Sequence, residues 1–93
     1  MSDFEIIPFN DKLVKFFIDF NIEWLESFFE VEPYDYKILQ NCEELIINKG
    51  GFIFFAKYEN EIIGTFAFIN RGENIFELAK MAVKKDQRSK GYG

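Results

Sequence analysis

Residues 52–83 read FIFFAKYENEIIGTFAFINRGENIFELAKMAV, and this stretch decides the fold class. It contains three β-rich runs, at 52–58, 62–69 and 75–83, separated by polar turns at 59–61 and 70–74. Turns of so few residues join only antiparallel neighbours, so the stretch predicts a three-stranded antiparallel meander.

The residues before this meander predict one strand and one amphipathic helix. Residues 4–9 are typical of a short strand, and Asn10 or Asp11 offers a helix N-cap. A helical repeat of apolar residues follows, opposite a stripe of charged residues. Its apolar members are Leu13, Phe17, Phe20, Trp24 and Phe28.

A second helix is predicted over residues 35–48, with Gly50 and Gly51 ending it. Its inward-facing residues are expected to be Leu39, Cys42, Leu45 and Ile46. The order is therefore strand, helix, helix and three strands, a mixed α+β fold. We expect the helices to cover one face of the antiparallel sheet.

Composition narrows the possible functions. The 93 residues fit a single unit and contain no apolar run of about 18 residues, so we expect no membrane span. The chain has no His, which excludes His-based catalysis, and we expect no metal site. Cys42 has no partner for an internal disulfide, and the acidic start is unlike a signal peptide, so we expect a cytoplasmic protein.

The charge is divided unevenly along the chain. Residues 1–79 carry 6 basic and 15 acidic groups, a net −9, whereas residues 80–93 carry 5 basic and 1 acidic, a net +4. An acidic body repels a phosphate backbone, so we do not expect a nucleic-acid partner.

The basic end coincides with a glycine-spaced loop, KKDQRSKGYG at residues 84–93. Glycines let a backbone approach a ligand closely, and successive free N–H groups bind an anion. Arg88 and Lys90 add full positive charges. This pattern favours a pyrophosphate ligand, although it is neither a P-loop nor a dinucleotide fingerprint. The simpler alternative is a solvated charge cluster.

The segment Arg88–Gly93, with the sequence RSKGYG, resembles the R/Q-x-x-G-x-G/A acyl-CoA loop of the GNAT N-acetyltransferases. The run ELAKMAV at residues 77–83 precedes it at the family's spacing, and the order of elements is also similar. The resemblance implies acetyl-CoA as co-substrate and an amine acceptor, either a small molecule or a peptide. It also implies that residues 1–93 are the N-terminal half of a domain of about 150 residues, interrupted after the fourth strand and inactive alone.

The resemblance also implies roles for individual residues on the coenzyme side. The backbone at Met81 and Val83 would bind the pantetheine arm; the alternative, ordinary strand core, can hold at the same time because this role belongs to the backbone and not to the side chains. Backbone N–H groups of the loop would hold the pyrophosphate, from Arg88, Ser89, Lys90, Gly91, Tyr92 and Gly93.

Glu77 is at the position where some members of the family carry a general base for the acceptor amine. The alternative for Glu77 is a solvated carboxylate or a structural ion pair. The tyrosine that often serves as general acid lies in the later half of the family's fold.

The acceptor pocket of this fold usually forms near the two N-terminal helices. The candidate residues for its wall are Trp24, Phe28, Phe29, Tyr34 and Tyr36. The acidic residues nearby would favour a cationic amine; they are Glu26, Glu30, Glu32 and Asp35. The alternative is that the aromatic side chains are core and the charges are solvated.

A different class of function also fits this composition. The chain would then be a non-catalytic, aromatic-rich interaction module that dimerises through its sheet and needs no cofactor. Under the enzyme hypothesis, an exposed edge on the strand at 75–83 favours pairing with a second copy or with the missing half of the domain.

Overall fold

The computed structural model describes residues 4–84. They form a four-stranded antiparallel sheet in the order β1-β2-β3-β4, with two α-helices between β1 and β2. The elements are β1 (Phe4–Pro8), α1 (Val14–Phe28), α2 (Pro33–Gln40), β2 (Phe52–Tyr58), β3 (Glu61–Gly72) and β4 (Ile75–Val83). The predicted α+β order and antiparallel meander are confirmed.

Both hairpins of the meander turn on a Glu-Asn pair with left-handed backbone. Glu59 and Asn60 have φ values of 49° and 66°, and Glu73 and Asn74 have values of 53° and 63°. Two successive left-handed residues match the twist of the flanking strands, which favours tight hairpins. Because the second turn needs only two residues, β3 continues beyond its predicted end to Gly72.

A capped turn leads the chain from β1 into α1. The Asn10 side-chain oxygen accepts a hydrogen bond from the Lys12 backbone N–H at 2.9 Å, which starts a 3₁₀ turn over Asp11–Leu13. Helix α1 then buries the first part of its apolar face, where Phe17 packs in the core cluster and Phe20 is buried, whereas Trp24 and Phe28 further along this face stay exposed.

Helix α2 is shorter than the predicted second helix and starts earlier. Pro33 occupies its first turn, and the Asp35 carboxylate accepts a hydrogen bond from the Glu32 N–H at 2.9 Å. It ends where the Asn41 amide donates to the Lys37 carbonyl at 2.8 Å, and a π-helical turn, Glu43–Ile47, follows. The predicted inward residues Leu39, Cys42 and Ile46 are nevertheless buried, whereas Leu45, also predicted to face inward, is only partly buried.

The core lies on one face of the sheet only. Ile53 and Phe55 of β2 and Ala67 of β3 pack against residues of the helical layer. Those helical-layer residues are Phe17, Leu39, Cys42 and Ile46.

The opposite face, which we call the outer face, carries packed but uncovered aromatic rings. They belong to Phe52, Phe54, Phe66, Phe68 and Phe76, with neighbouring centroids 5.3–6.3 Å apart. Within residues 4–84, no helix is long and apolar enough to cross a membrane.

Candidate functional site

Strand β4 is interrupted by a β-bulge. Thr65 pairs with Ala82 and Ala67 pairs with Ala79, so Lys80 and Met81 together oppose a single residue of β3. Lys80 has a left-handed backbone, with φ of 54°. A bulge of this kind bends the strand and redirects its side chains.

The bulge lies on an open edge of the described sheet. Strand β4 pairs with β3, and among residues 4–84 no further strand lies beyond it. The pairing ends where the Lys84 N–H donates to the Ile63 carbonyl at 2.6 Å. The basic segment of the sequence starts at this residue.

An open cleft of about 200 Å³ lies between α1, α2 and the bulge. We call it the α1–α2 cleft. Its lining residues are Asn21, Trp24, Leu25, Asp35, Leu39, Lys80 and Met81.

The polar groups of the α1–α2 cleft come from three different elements. Asn21 of α1 is 4% exposed, and its amide nitrogen donates to the Phe17 carbonyl at 2.8 Å. Asp35 of α2 accepts the capping hydrogen bond of Glu32. Lys80 of β4 makes no ion pair within residues 4–84. The cleft therefore presents one carboxylate, one ammonium group and one amide.

The structure separates the predicted acceptor residues into two groups. Trp24 lines the α1–α2 cleft, and Phe28 packs on Trp24 with ring centroids 4.6 Å apart. Phe29 and Tyr34 are exposed in the segment where α1 gives way to α2, and neither lines this cleft. Tyr36 does not line it either.

Glu77 is engaged in an ion pair and is not among the cleft residues. It pairs in register with Ile69, and its carboxylate accepts hydrogen bonds from the Arg71 guanidinium, with the Nε–Oε1 distance at 2.7 Å. The ion-pair alternative for this residue is therefore present, and its role as a base stays a prediction.

The coenzyme residues predicted from the sequence fall in two regions. Met81 lies in the bulge and also lines, with Val83, a second cavity of about 180 Å³ on the outer face. The predicted pyrophosphate residues lie outside the described residues; they are Arg88, Ser89, Lys90, Gly91, Tyr92 and Gly93.

Sequence reasoning missed four of the cleft residues. Leu25 and Leu39 look like ordinary core, and Lys80 looks like a surface lysine. Asn21 did carry a signal, because it is a polar residue four positions after Phe17 on the apolar face of α1. A buried polar side chain at such a position indicates a specific partner or a cavity.

This architecture agrees with the family comparisons. The sequence model of the acetyltransferase (GNAT) family matches residues 14–93. The chain belongs to the GNAT acetyltransferase family. No curated protein matches its sequence significantly.

Solved acetyltransferases have the same fold as this GNAT chain. A GNAT-family acetyltransferase from Staphylococcus aureus Mu50 superposes with a TM-score of 0.76 at 27% identity, covering 91% of this chain and 55% of its own. An acetyltransferase from Streptococcus agalactiae 2603 gives 0.68 at 16% identity, covering 91% and 54%. A predicted acetyltransferase from Clostridium acetobutylicum, solved with acetyl-CoA, gives 0.64 at 16% identity, covering 99% and 66%. The chain thus spans about half to two thirds of the length of these structures.

Proposed function

We propose that residues 1–93 form the N-terminal half of an N-acetyltransferase domain that transfers the acetyl group of acetyl-CoA to an amine acceptor. The observation that carries this proposal is the position of the β4 bulge. It lies on an open sheet edge, beside the α1–α2 cleft, on the strand that leads into the glycine-spaced loop.

The donor side of this proposal uses the backbone of β4 and the loop after it. An open strand edge binds an extended, amide-containing arm by main-chain hydrogen bonds, and pantetheine is such an arm. Met81 and Val83 are the residues that we assign to it. The glycines and basic residues of 88–93 suit a pyrophosphate, because a glycine-spaced backbone can offer successive N–H groups to an anion and Arg88 and Lys90 carry positive charges.

The acceptor side uses the α1–α2 cleft. The amine nitrogen attacks the thioester carbonyl carbon, so a C–N bond forms while the C–S bond breaks and the sulfur leaves with a proton. The nitrogen must lose a proton in this step, and we assign its removal to Glu77. Because Glu77 does not line the cleft, we propose that it acts through water.

A pair of substitutions separates a catalytic from a structural role of Glu77. In the longer protein that we propose, Glu77→Gln is expected to lower kcat roughly 10²–10⁴-fold, because it removes the base. Arg71→Gln breaks the same ion pair but keeps the carboxylate, so kcat should fall much less. Release of the CoA thiol measures both. Equal losses in the two variants would show that only the ion pair matters.

The outer face supports the idea that these residues are part of a larger domain. Its rings pack with one another, yet Phe52, Phe76 and Leu78 are about half exposed. Monomeric proteins rarely leave such a contiguous apolar patch uncovered. We therefore expect no acetyl transfer from purified residues 1–93, and measurable CoA-dependent acetylation by this chain would contradict the proposal.

The same exposure favours a second candidate function, the non-catalytic module that associates through its sheet. A cheap titration separates the two. Saturable binding of acetyl-CoA to a version extended past Gly93 supports the enzyme, and no binding favours the module. Light scattering at high concentration tests the homodimer that we expect through the β4 edge, and a strict monomer would exclude it.

We retain the cytoplasm as the expected compartment. Cys42 is a buried, free thiol packed within the helical layer. A buried thiol with no second cysteine in the sequence to pair with fits a reducing environment.

A further inference from the structure

The α1–α2 cleft holds two opposite charges that do not neutralise each other. Asp35 approaches from α2 and Lys80 from the β4 bulge, and no ion pair joins them. The one hydrogen bond that the Asp35 carboxylate makes within residues 4–84 comes from the Glu32 backbone. A ligand with one positive and one negative group would satisfy both walls of the cleft at once.

The α1 wall adds groups that suit the positive end of such a ligand. The Asn21 amide nitrogen is used by the Phe17 carbonyl, which leaves the amide oxygen to accept a hydrogen bond from an ammonium group. The Trp24 indole, which is 37% exposed, offers an aromatic surface that attracts cations.

The remaining surface of the cleft is apolar, and the space is small. Leu25, Leu39 and Met81 supply the apolar surface. A volume of about 200 Å³ is below the roughly 300–1,000 Å³ of sites for drug-sized ligands. The cleft thus suits a compact molecule with a short apolar side chain.

Resting on the acetyltransferase function proposed above, we propose that the acceptor is a small zwitterionic amine of the free amino acid type. Its ammonium group lies between Asp35 and Asn21, its carboxylate faces Lys80, and its side chain contacts the apolar wall. This differs from the purely cationic acceptor expected from the acidic residues of the sequence, because Lys80 repels a second positive charge.

Trp24 reports on this site directly, since it is the single tryptophan of the chain and it lines the cleft. The probes are free leucine, leucinamide, which lacks the carboxylate, and N-acetylleucine, which lacks the ammonium group. They are titrated into the longer protein while tryptophan fluorescence is followed, and the same titration of Trp24→Phe identifies the part of the signal that comes from this residue. Leucine should give a saturable change, and each analogue should bind roughly tenfold more weakly, since each loses one charge-assisted contact.

Substitutions then assign the carboxylate contact. Lys80→Gln should weaken leucine binding about tenfold and leave leucinamide binding unchanged, and Lys80→Arg should restore most of the loss. Lys37→Gln is the charge-matched control, because Lys37 is an exposed lysine of α2 outside the cleft. Unchanged leucinamide binding also shows that Lys80→Gln leaves the cleft intact.

Three results would overturn this inference. They are equal affinities for leucine and leucinamide, an affinity for leucine that Lys80→Gln does not change, and the absence of a saturable signal with leucine. Release of CoA from acetyl-CoA, measured separately, tests the enzyme itself. Lys80-dependent leucine binding without CoA release under any condition would refute the acetyltransferase proposal but not the cleft assignment. Equal release of CoA with amines in the parent protein and in Lys80→Gln would support the acetyltransferase proposal but refute the cleft assignment.

Discussion

The two faces of the sheet are built from similar residues but have different surroundings. Phe55 on the inner face is completely buried under the helical layer, whereas Phe52, on the same strand, is 50% exposed on the outer face. Leu78 of β4 is 51% exposed on the same face. Strands that are apolar on both sides are typical of sheets that are covered on both sides.

This difference teaches that residues 4–84 stabilise themselves through one layer of contacts. On the inner face, burial of apolar side chains offsets the loss of chain entropy on folding. On the outer face, the aromatic rings pack against one another but no helix covers them within residues 4–84. Changes on the inner face should therefore act on folding, and changes on the outer face should act on association.

The largest effect is expected from Phe55→Ala. Removing a fully buried ring leaves a cavity and should lower the free energy of unfolding by about 3–5 kcal/mol. The matched change on the outer face, Phe52→Ala, should cost about 1 kcal/mol, because the ring is already half in water. Urea denaturation measures both, and equal losses would show that the outer face is buried in solution.

A smaller loss is expected where the helical layer joins β2. A β-carbon on Gly51 would lie 2.6 Å from the Phe68 carbonyl oxygen and 2.8 Å from that of Ile46. Gly51→Ala therefore pushes the backbone at residue 51 away from these two carbonyl groups. We expect it to cost roughly 1–3 kcal/mol. At Gly72 nothing lies within 4 Å, although φ is +93°. Gly72→Ala should thus lose only about 1 kcal/mol, from strain, and a larger loss there than at Gly51 in thermal unfolding would contradict this account.

Cys42 gives a pH-dependent test of the inner face. Burial raises the pKa of its thiol. Above about pH 8.5 the unfolded thiol ionises while the folded one does not. The contribution of Cys42 to the free energy of unfolding is therefore complete below that pH. It is then lost at no more than about 1.4 kcal/mol per pH unit as the pH rises through the folded pKa.

Denaturation between pH 7 and pH 10 should show this decline, and Cys42→Ala should reduce it. For comparison, a thiol is introduced on the outer face by Phe76→Cys, in a variant that also carries Cys42→Ala. Its thiol should react with a disulfide reagent at once, whereas native Cys42 should react only on unfolding. Comparable rates for the two thiols would mean that the faces are equally open.

The smallest effect on stability is expected from Phe76→Lys. The ring is 43% exposed and, unlike alanine, lysine keeps an aliphatic stem that covers part of the same apolar surface, so we expect the free energy of unfolding to change by about 0.5 kcal/mol or less. Binding of a hydrophobic dye and self-association should nevertheless both decrease, because the patch is interrupted by a charge. Dye fluorescence and light scattering measure these, and an unchanged dye signal would place the apolar patch elsewhere.

The sequence predicts much of this fold because its signals are local. The spacing of Phe17, Phe20 and Trp24 defines a helix face, and the polar Glu-Asn turns define the hairpins. The end of α2 was not predictable from spacing, because the apolar pattern continues where the backbone changes to the π-helical turn Glu43–Ile47.

The site is less predictable than the fold because it depends on register and cross-strand contacts. The continuous run around Lys80 gives no sign that two residues oppose one on β3, yet this bulge places Lys80 in the cleft. Likewise, no local sequence pattern predicts the ion pair between Arg71 and Glu77, which lie on facing strands of the second hairpin. Trp24 was a candidate because the family resemblance indicated the helix on which it lies; it lines the cleft, and its role in acceptor binding stays a prediction.

The two Glu-Asn turns have a consequence for the order of assembly. They close β2–β3 and β3–β4 with two residues each, so these pairings join neighbours in sequence, whereas Pro8 of β1 must reach Phe54 across the entire helical segment. Loop closure is less costly and faster over short separations. We therefore expect the meander to form early and β1 to dock last, so that the amide protons of β1 exchange soonest with solvent.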